Sequence, residues 1–280
     1  MIQKDYLWLH LKDIPYFRAM VRSIEARFLD DIDLPKPVLD LGCGDGHFSS
    51  IVFEQPIAVG IDPWRGPIRE AAKRGIYELP VLGEGARLPF ADGFFSSVVS
   101  NSVLEHIPSI SNVLVDTARV LKTGGKFVFC VPNDRFLMSL SLGRKLEKIG
   151  LRGIANAYRN FFNRISRHYH CDSPQTWENR LKEAGFQIER WWHYFSPEAL
   201  AWMEWGHFFG VPSLLTRWIT GRWILAPSRW NLWFMDRLLR RFYDADPVCE
   251  DGVYTFYIVS KRQQDHPLKS DKKGAGLMGL

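Results

Sequence analysis

Val38-Leu39-Asp40-Leu41-Gly42-Cys43-Gly44-Asp45-Gly46-His47-Phe48 opens as a short apolar run and turns through three alternating glycines. The run suits a buried strand. Glycine lacks a Cβ and accepts positive φ, so a loop built on it can bend tightly and let a ligand approach the backbone. A helix can then begin at His47 and run to Phe53. Dinucleotide-binding proteins share a strand, a glycine turn and a helix in this order. Here an acidic residue, Asp40, precedes the glycines, which is a different and more specific spelling.

Working outward, Ile57-Ala58-Val59-Gly60-Ile61 is a second apolar strand, closed by Asp62-Pro63, and Ile68 to Arg74 reads as a helix stopped by Gly75. Ser96 to Ser100 is a third strand. Ile110, Val113, Leu114, Thr117, Ala118 and Leu121 give one helix face that ends at Gly124-Gly125, and Lys126 to Val131 is the next strand. Strands alternating with helices predict an α/β fold, a Rossmann-like, doubly wound and mostly parallel sheet with an antiparallel last strand. Upstream, Asp13-Ile14-Pro15 predicts a helix start with Asp13 as N-cap, and Phe17, Met20, Val21, Ile24 and Phe28 supply its apolar face. Downstream, residues 135–170 are basic and helical in pattern, Pro174 to Ala184 is a helix, Phe186 to Phe195 a strand, and Gly252 to Lys261 the last strand. The expected organisation is a helical cap over 1–34, a core over 35–195, an insertion over 196–251, a last core strand over 252–262, and a disordered polar tail over 263–280.

Composition sets bounds on this reading. The 280 residues are 46% hydrophobic and 24% charged, ordinary for a globular chain long enough to bury a core. The formal charge of +5 is unevenly placed: Arg144 to Arg167 carries a net +6 and Arg217 to Arg241 a net +5, so the rest of the chain is acidic. Cys43, Cys130, Cys171 and Cys249 show neither a CxxC pair nor metal-ligand spacing, so reduced thiols and no metal site are expected. The N-terminus lacks a signal-peptide run, and no uncharged apolar stretch is long enough to span a bilayer. A cytoplasmic location is expected.

Three further segments give the glycine loop its meaning. Asp62 ends the second strand 22 positions after Asp40, where a carboxylate can accept hydrogen bonds from ribose hydroxyls. Gly83-Glu84-Gly85-Ala86-Arg87-Leu88-Pro89-Phe90 precedes the third strand, and Asn101-Ser102-Val103-Leu104-Glu105-His106-Ile107 follows it. Together with Asp40 to Gly46 and with Lys122 to Lys126, these segments resemble the class I methyltransferases that use S-adenosyl-L-methionine. The V-L-E-H-I spelling is similar to that of the type 11 group, which includes quinone-biosynthesis enzymes. The resemblance runs from about residue 36 to 133 and resumes weakly at Tyr169 to Phe195 and at the last strand. It implies S-adenosyl-L-methionine as cofactor, with Asp40, Gly42, Gly44 and Gly46 at the methionyl part, Asp62 at the ribose, Glu84 and Gly85 at the adenine, and Asn101 in the loop lining the pocket. Glu84 stands where the family usually has Asp, and Gly85 where it has Ala; both keep the adenine chemistry available, with a longer reach for Glu84.

A sulfonium methyl is already activated, so the protein must chiefly align a nucleophile and exclude water. A base is needed only for an acceptor that must lose a proton early. Glu105, His106, His168 and His170 are the candidates, and His106 is the first choice because its loop faces the methyl. The segment from Ser196 to Asp251 separates the last two strands, which in this fold usually form a close hairpin. It mixes Trp202, Trp205, Phe208, Phe209, Trp218, Trp223, Trp230, Trp233 and Phe234 with arginines. Ser228 can cap a helix in which Trp230, Trp233, Phe234 and Leu238 share a face. Tryptophan with arginine suits an anionic lipid interface, which would make the protein peripheral on a membrane. A lid packed on the core and a homodimer face are the alternatives. The first two imply a hydrophobic, lipid-like or quinone-like acceptor methylated at oxygen or carbon. A nucleic-acid methyltransferase, suggested by a pI near 9.0, is not expected, because Asn101-Ser102-Val103-Leu104 lacks the proline pair of base-amine enzymes and no nucleic-acid module is present. A non-catalytic cofactor-binding regulator or scaffold remains a distinct alternative, and the placement of Asp40 opposes a dehydrogenase.

Overall fold

In a computed structural model, residues 4–263 are described. Seven strands form one sheet: β1 (Val38–Leu41), β2 (Ile57–Asp62), β3 (Tyr77–Leu82), β4 (Phe95–Asn101), β5 (Leu121–Pro132), β6 (Phe186–Tyr194) and β7 (Tyr254–Lys261). Their order is β3-β2-β1-β4-β5-β7-β6. The first five pair in parallel, and β7 runs antiparallel between β5 and β6. This is the expected Rossmann-like α/β sheet with its antiparallel last strand. The central strands are apolar at nearly every position because helices cover both faces. Leu39, Leu41, Val98, Phe127, Phe129, Tyr257 and Val259 form one core with Val113, Leu114, Trp177 and Leu181 of the helices on that side. Val38, Val99, Val128, Cys130, Phe256 and Ile258 belong to the other.

The chain reverses the order of the sheet between β1 and β4. In such folds the crevice at the carboxyl ends of strands flanking this reversal is where ligands bind. The loops after β1, β2 and β4 all open there.

Eleven helices surround the sheet among the described residues. α1 (Tyr6–Leu11) and α2 (Tyr16–Asp30) form the N-terminal cap, α3 (His47–Val52) follows the glycine loop, and α4 (Arg65–Arg74) joins β2 to β3. α5 (Ile110–Val120) joins β4 to β5. α6 (Ser141–Lys148), α7 (Arg152–Ser166) and α8 (Pro174–Glu183) lie between β5 and β6. α9 (Pro197–Phe209), α10 (Val211–Thr220) and α11 (Arg229–Asp244) occupy the insertion before β7.

Several local expectations change. Asp13 does not cap α2: Pro15 sits at the N-cap position without a side-chain bond, and the Asp13 carboxylate instead lies 3.9 Å from His47 Nδ1. The helix, which the pattern ends before Asp30-Asp31, also continues through Asp30. α1 and β3 were not anticipated. β3 carries Pro80, which a strand tolerates at a sheet edge, where β3 lies. Ser228 caps α11 as expected, accepting from the Asn231 amide, and Ser196 likewise caps α9 through the Ala199 amide. The tail expected from residue 263 lies, apart from Gln263, outside the described residues.

Two buried carboxylates fix the cap and the insertion to the core. Glu25 of α2 accepts bonds from Arg22, Asn101 Nδ2, Ser102 Oγ and Tyr194 OH, which ties the cap to the loop after β4. Glu204 of α9 accepts from the Ser141 and Leu142 amides and the Tyr158 hydroxyl, which satisfies the amino end of α6 and seats α9 upon it.

Candidate active site

The glycine loop has the backbone its sequence requires. Gly42, Gly44 and Gly46 have φ of +79°, +55° and +71°. The amides of Gly42 and Cys43 both donate to the Ile61 carbonyl, at 2.8 and 3.0 Å, so the loop leans on the end of β2. Asp62 completes this join: its two oxygens accept from the amides of Gly44 at 3.0 Å and Trp64 at 2.9 Å. Each oxygen keeps a further lone pair, and Asp62 borders the adjoining cavity. Burial raises its pKa, and the two amides oppose that rise.

Asp40 lies deeper. One of its oxygens accepts from Ser49 Oγ at 2.5 Å and Tyr77 OH at 2.6 Å, so it braces the loop against α3 and β3. Burial again raises its pKa. The Asn101 side chain is likewise engaged with the protein: Nδ2 donates to Glu25 at 2.7 Å and Oδ1 accepts from the Cys130 thiol at 3.1 Å. Both residues border the loop cavity, where their bonds to the protein make them positioning groups.

Three cavities lie at this end of the sheet and share His106. One, of about 650 Å³, is lined by Gly42, Asp62, Trp64, Glu84, Gly85 and Ile107, among others. It gathers the residues expected at ribose and adenine; Glu84 is exposed at its wall. The second, of about 590 Å³, lies over Asp40, Gly42 and Gly44 and is bounded by Arg18, Arg22 and Arg217. The third, of about 700 Å³, is walled by Phe17 and Val21 of α2, Phe136, Tyr169, Met203 and Tyr254, with Arg18, Arg22, Arg167, Glu105 and His168 as its polar groups. His106 borders all three.

The loop and crevice fit an adenosyl sulfonium. A Cβ added at Gly44 would meet nothing within 4 Å, so this position opens toward free space, whereas one at Gly42 would meet Val103 Cγ1 at 2.3 Å. The first glycine therefore keeps room for a ligand, and the second lets the loops after β1 and β4 close together.

His106 Nδ1 lies 3.1 Å from the Arg167 carbonyl, so its Nδ1–H donates there and Nε2 carries the lone pair. Burial lowers its pKa, which keeps the ring neutral. Glu105 is 1% exposed, and burial raises its carboxyl to about 8. His168 stands beside His106, ring centres 5.2 Å apart. His170, the remaining candidate, turns away to the Ile107 carbonyl and Asp172. Trp64, Phe17, Arg18, Met203, His207 and Tyr254 had not been anticipated. Only Trp64, next to Asp62-Pro63, had a signal nearby.

Fold and crevice define a Rossmann-like protein built for S-adenosyl-L-methionine. Residues 14–191 match the model of a family described as a methyltransferase domain, and the chain belongs to that family. A protein of Encephalitozoon cuniculi named as a methyltransferase is 36% identical over 168 residues, 58% of this chain and 76% of that one. The malonyl-[acyl-carrier protein] O-methyltransferase of Legionella pneumophila is 30% identical over 43% of this chain and 46% of its own length. The demethylmenaquinone methyltransferase of Symbiobacterium thermophilum is 30% identical over 36% and 45% respectively. The chain thus spans less than half of the last two relatives. A solved SAM-dependent methyltransferase of Thermotoga maritima shares the fold, with a TM-score of 0.53 and 16% identity over 89% of this chain and 91% of that one.

Proposed function

We propose that this chain transfers a methyl group from S-adenosyl-L-methionine to oxygen or carbon of a hydrophobic, lipid-like or quinone-like molecule. The observation that carries this reading is the meeting of the adenosyl-side cavity with a separate, aromatic-walled cavity at His106 and Trp64. A sulfonium bound in the glycine crevice supplies an activated methyl, which a nucleophile displaces in line. The protein's part is then to place and dry the acceptor. Phe17, Val21, Phe136, Met203 and Tyr254 give the second cavity an apolar wall, and Arg18, Arg22 and Arg167 can receive an anionic end of an amphipathic acceptor. His106 is assigned to the crossing point. Its Nε2 lone pair can take a proton from the acceptor or bind an electrophile that makes the acceptor more acidic.

The insertion supports an apolar source for that acceptor. Met203 and His207 of α9 face the cavity, while Leu214, Leu215, Trp218, Ile219, Leu225, Trp230, Trp233 and Phe234 are exposed. Trp218 and Trp230, at 84% and 89% exposure, are the most open of these. Arg222, Arg229 and Arg237 are exposed in the same stretch. A face of this chemistry fits an anionic membrane surface. No helix among the described residues is long and apolar enough to cross a membrane, so the proposed contact is peripheral.

The test is incubation with methyl-labelled S-adenosyl-L-methionine and either the lipid fraction or the aqueous fraction of a cell extract. Label entering the organic phase, with matching S-adenosylhomocysteine, is expected. Label confined to aqueous products would refute the acceptor class, and no S-adenosylhomocysteine from any fraction would refute the enzyme. Flotation with anionic vesicles at low salt tests the surface separately, and protein remaining wholly soluble would refute it.

A further inference from the structure

Glu105, His106 and His168 each offer one ligand atom, and these atoms lie within 4.8 Å of one another. All three residues border the 700 Å³ cavity. We propose that they form a binding site for a divalent first-row transition cation, zinc or iron(II), with open coordination positions facing the acceptor.

Three features of the side chains support this. Glu105 is 1% exposed, yet its Oε2 has no hydrogen-bond partner. A buried carboxyl oxygen left bare is costly, and a cation that displaces the carboxyl proton would satisfy it. Its other oxygen lies 3.8 Å from His106 Nε2. Each histidine is also held from behind. His106 is fixed through Nδ1 by the Arg167 carbonyl at 3.1 Å, and His168 Nδ1 lies 3.7 Å from Cys171 Sγ. With Nδ1 engaged in this way, each ring keeps Nε2 for a cation, the arrangement that orients histidine ligands in metal sites.

The donor set selects the metal. Two imidazoles and one carboxylate favour zinc or iron(II) over magnesium and calcium, which prefer oxygen. Three protein ligands leave a position open, as in catalytic rather than structural sites. Metal bonds of about 2.0–2.2 Å bring ligand atoms to roughly 3–3.5 Å from one another, so binding needs side-chain movements on the order of 1 Å. Arg22, which borders the same cavity, is already bonded to Glu25 and the Asn101 carbonyl. An acceptor hydroxyl on an open position would be made more acidic and would release its proton to solvent water as it meets the methyl, the second of the two uses of the His106 lone pair. Metal binding itself stands independently of methyl transfer and of the acceptor.

Chelator-treated full-length protein titrated with Zn²⁺ by calorimetry, and with Co²⁺ by visible absorption, tests the site. One ion per chain is expected, with affinity lowered roughly 100-fold or more in His168→Ala and Glu105→Gln and little changed in the remote Cys249→Ser. X-ray absorption of the zinc-loaded wild type reads the ligands without a variant and should show two imidazoles. Failure to bind one ion, unchanged affinity in the two ligand variants, or a shell without paired imidazoles would overturn the proposal. S-adenosylhomocysteine binding, measured alongside, reports on the cofactor crevice and separates failure of this site from failure of the methyl-transfer reading.

Discussion

Gly42→Ala is the most direct probe of the crevice. A left-handed φ costs a residue with a Cβ about 1–2 kcal/mol, and Gly42 has φ +79°. The added Cβ would also stand 2.3 and 2.7 Å from the two methyls of Val103 and 3.0 Å from its Cβ. The neighbours must part by roughly 1 Å, and a β-branched valine has few rotamers with which to yield. Overpacking of this kind costs about 1–3 kcal/mol. The Gly42 amide bonds to the Ile61 carbonyl at 2.8 Å, so the displacement is passed to the end of β2, where Asp62 sits. Together the two costs come to about 2–5 kcal/mol. Whatever part falls on the bound state lowers cofactor affinity tenfold for each 1.4 kcal/mol. Thermal unfolding and calorimetry with S-adenosylhomocysteine measure the two shares. Adding Val103→Ala removes both methyls, so the double variant should recover most of the packing cost and keep the backbone strain. Gly44→Ala is the contrast: with open space at its Cβ, it should lose affinity out of proportion to stability. Wild-type affinity in Gly42→Ala, or no benefit from Val103→Ala, would refute the reasoning.

Asp62→Asn places an amide donor among the Gly44 and Trp64 amides and removes a charge, so S-adenosylhomocysteine affinity should fall roughly 10–100-fold by calorimetry with the fold retained. Burial, with Arg74 and Arg18 adding to it and Asp45 and Asp13 opposing, holds His47 at about 4, and His10 lies 3.2 Å away. The unfolded chain takes up this proton near 6.5, so the stability is whole above that pH and is lost as pH falls toward 4. His47 alone should remove about 2 kcal/mol by pH 5. Urea titrations at pH 7 and 5 read this, and His47→Gln should show a shallower slope. Trp230→Ser with Trp233→Ser should change stability by no more than about 0.5 kcal/mol, because both rings are exposed. The pair should abolish flotation with anionic vesicles; unchanged flotation would disconnect these rings from lipid.

What was legible in the sequence was local. The loop at Gly42 is fixed by neighbours in the chain: apolar residues that must be buried, then glycines that alone accept the turn. The same holds for Asp62 at the end of β2. β3 was hidden because Glu78 and Pro80 interrupt its pattern, which only its edge position permits. α1 was hidden because six residues show too little periodicity. The 700 Å³ cavity is the opposite case. Phe17, His168, Met203 and Tyr254 come from α2, the segment after α7, α9 and β7, and no spacing along the chain relates them. Glu105 and His168 were both visible as candidate bases, but their convergence depends on the Tyr169 and His170 amides bonding to the Glu105 carbonyl.

The insertion shows why composition alone left its role open. Its residues divide by face. Leu200 and Met203 of α9 and Leu232, Leu239 and Tyr243 of α11 turn inward; Glu204 binds α6 and α7, and Arg240 pairs with Asp5 of the cap. Trp218, Trp230, Trp233 and Phe234 turn outward. Lid and surface are therefore not competing descriptions of one face. A helix that buries Leu232 and Leu239 at a spacing of seven has its opposite stripe left over, and there the aromatics stand among Arg229 and Arg237. The core needs only the first stripe for stability. The second leaves large apolar rings exposed, and it is the stripe that the proposed membrane contact would use.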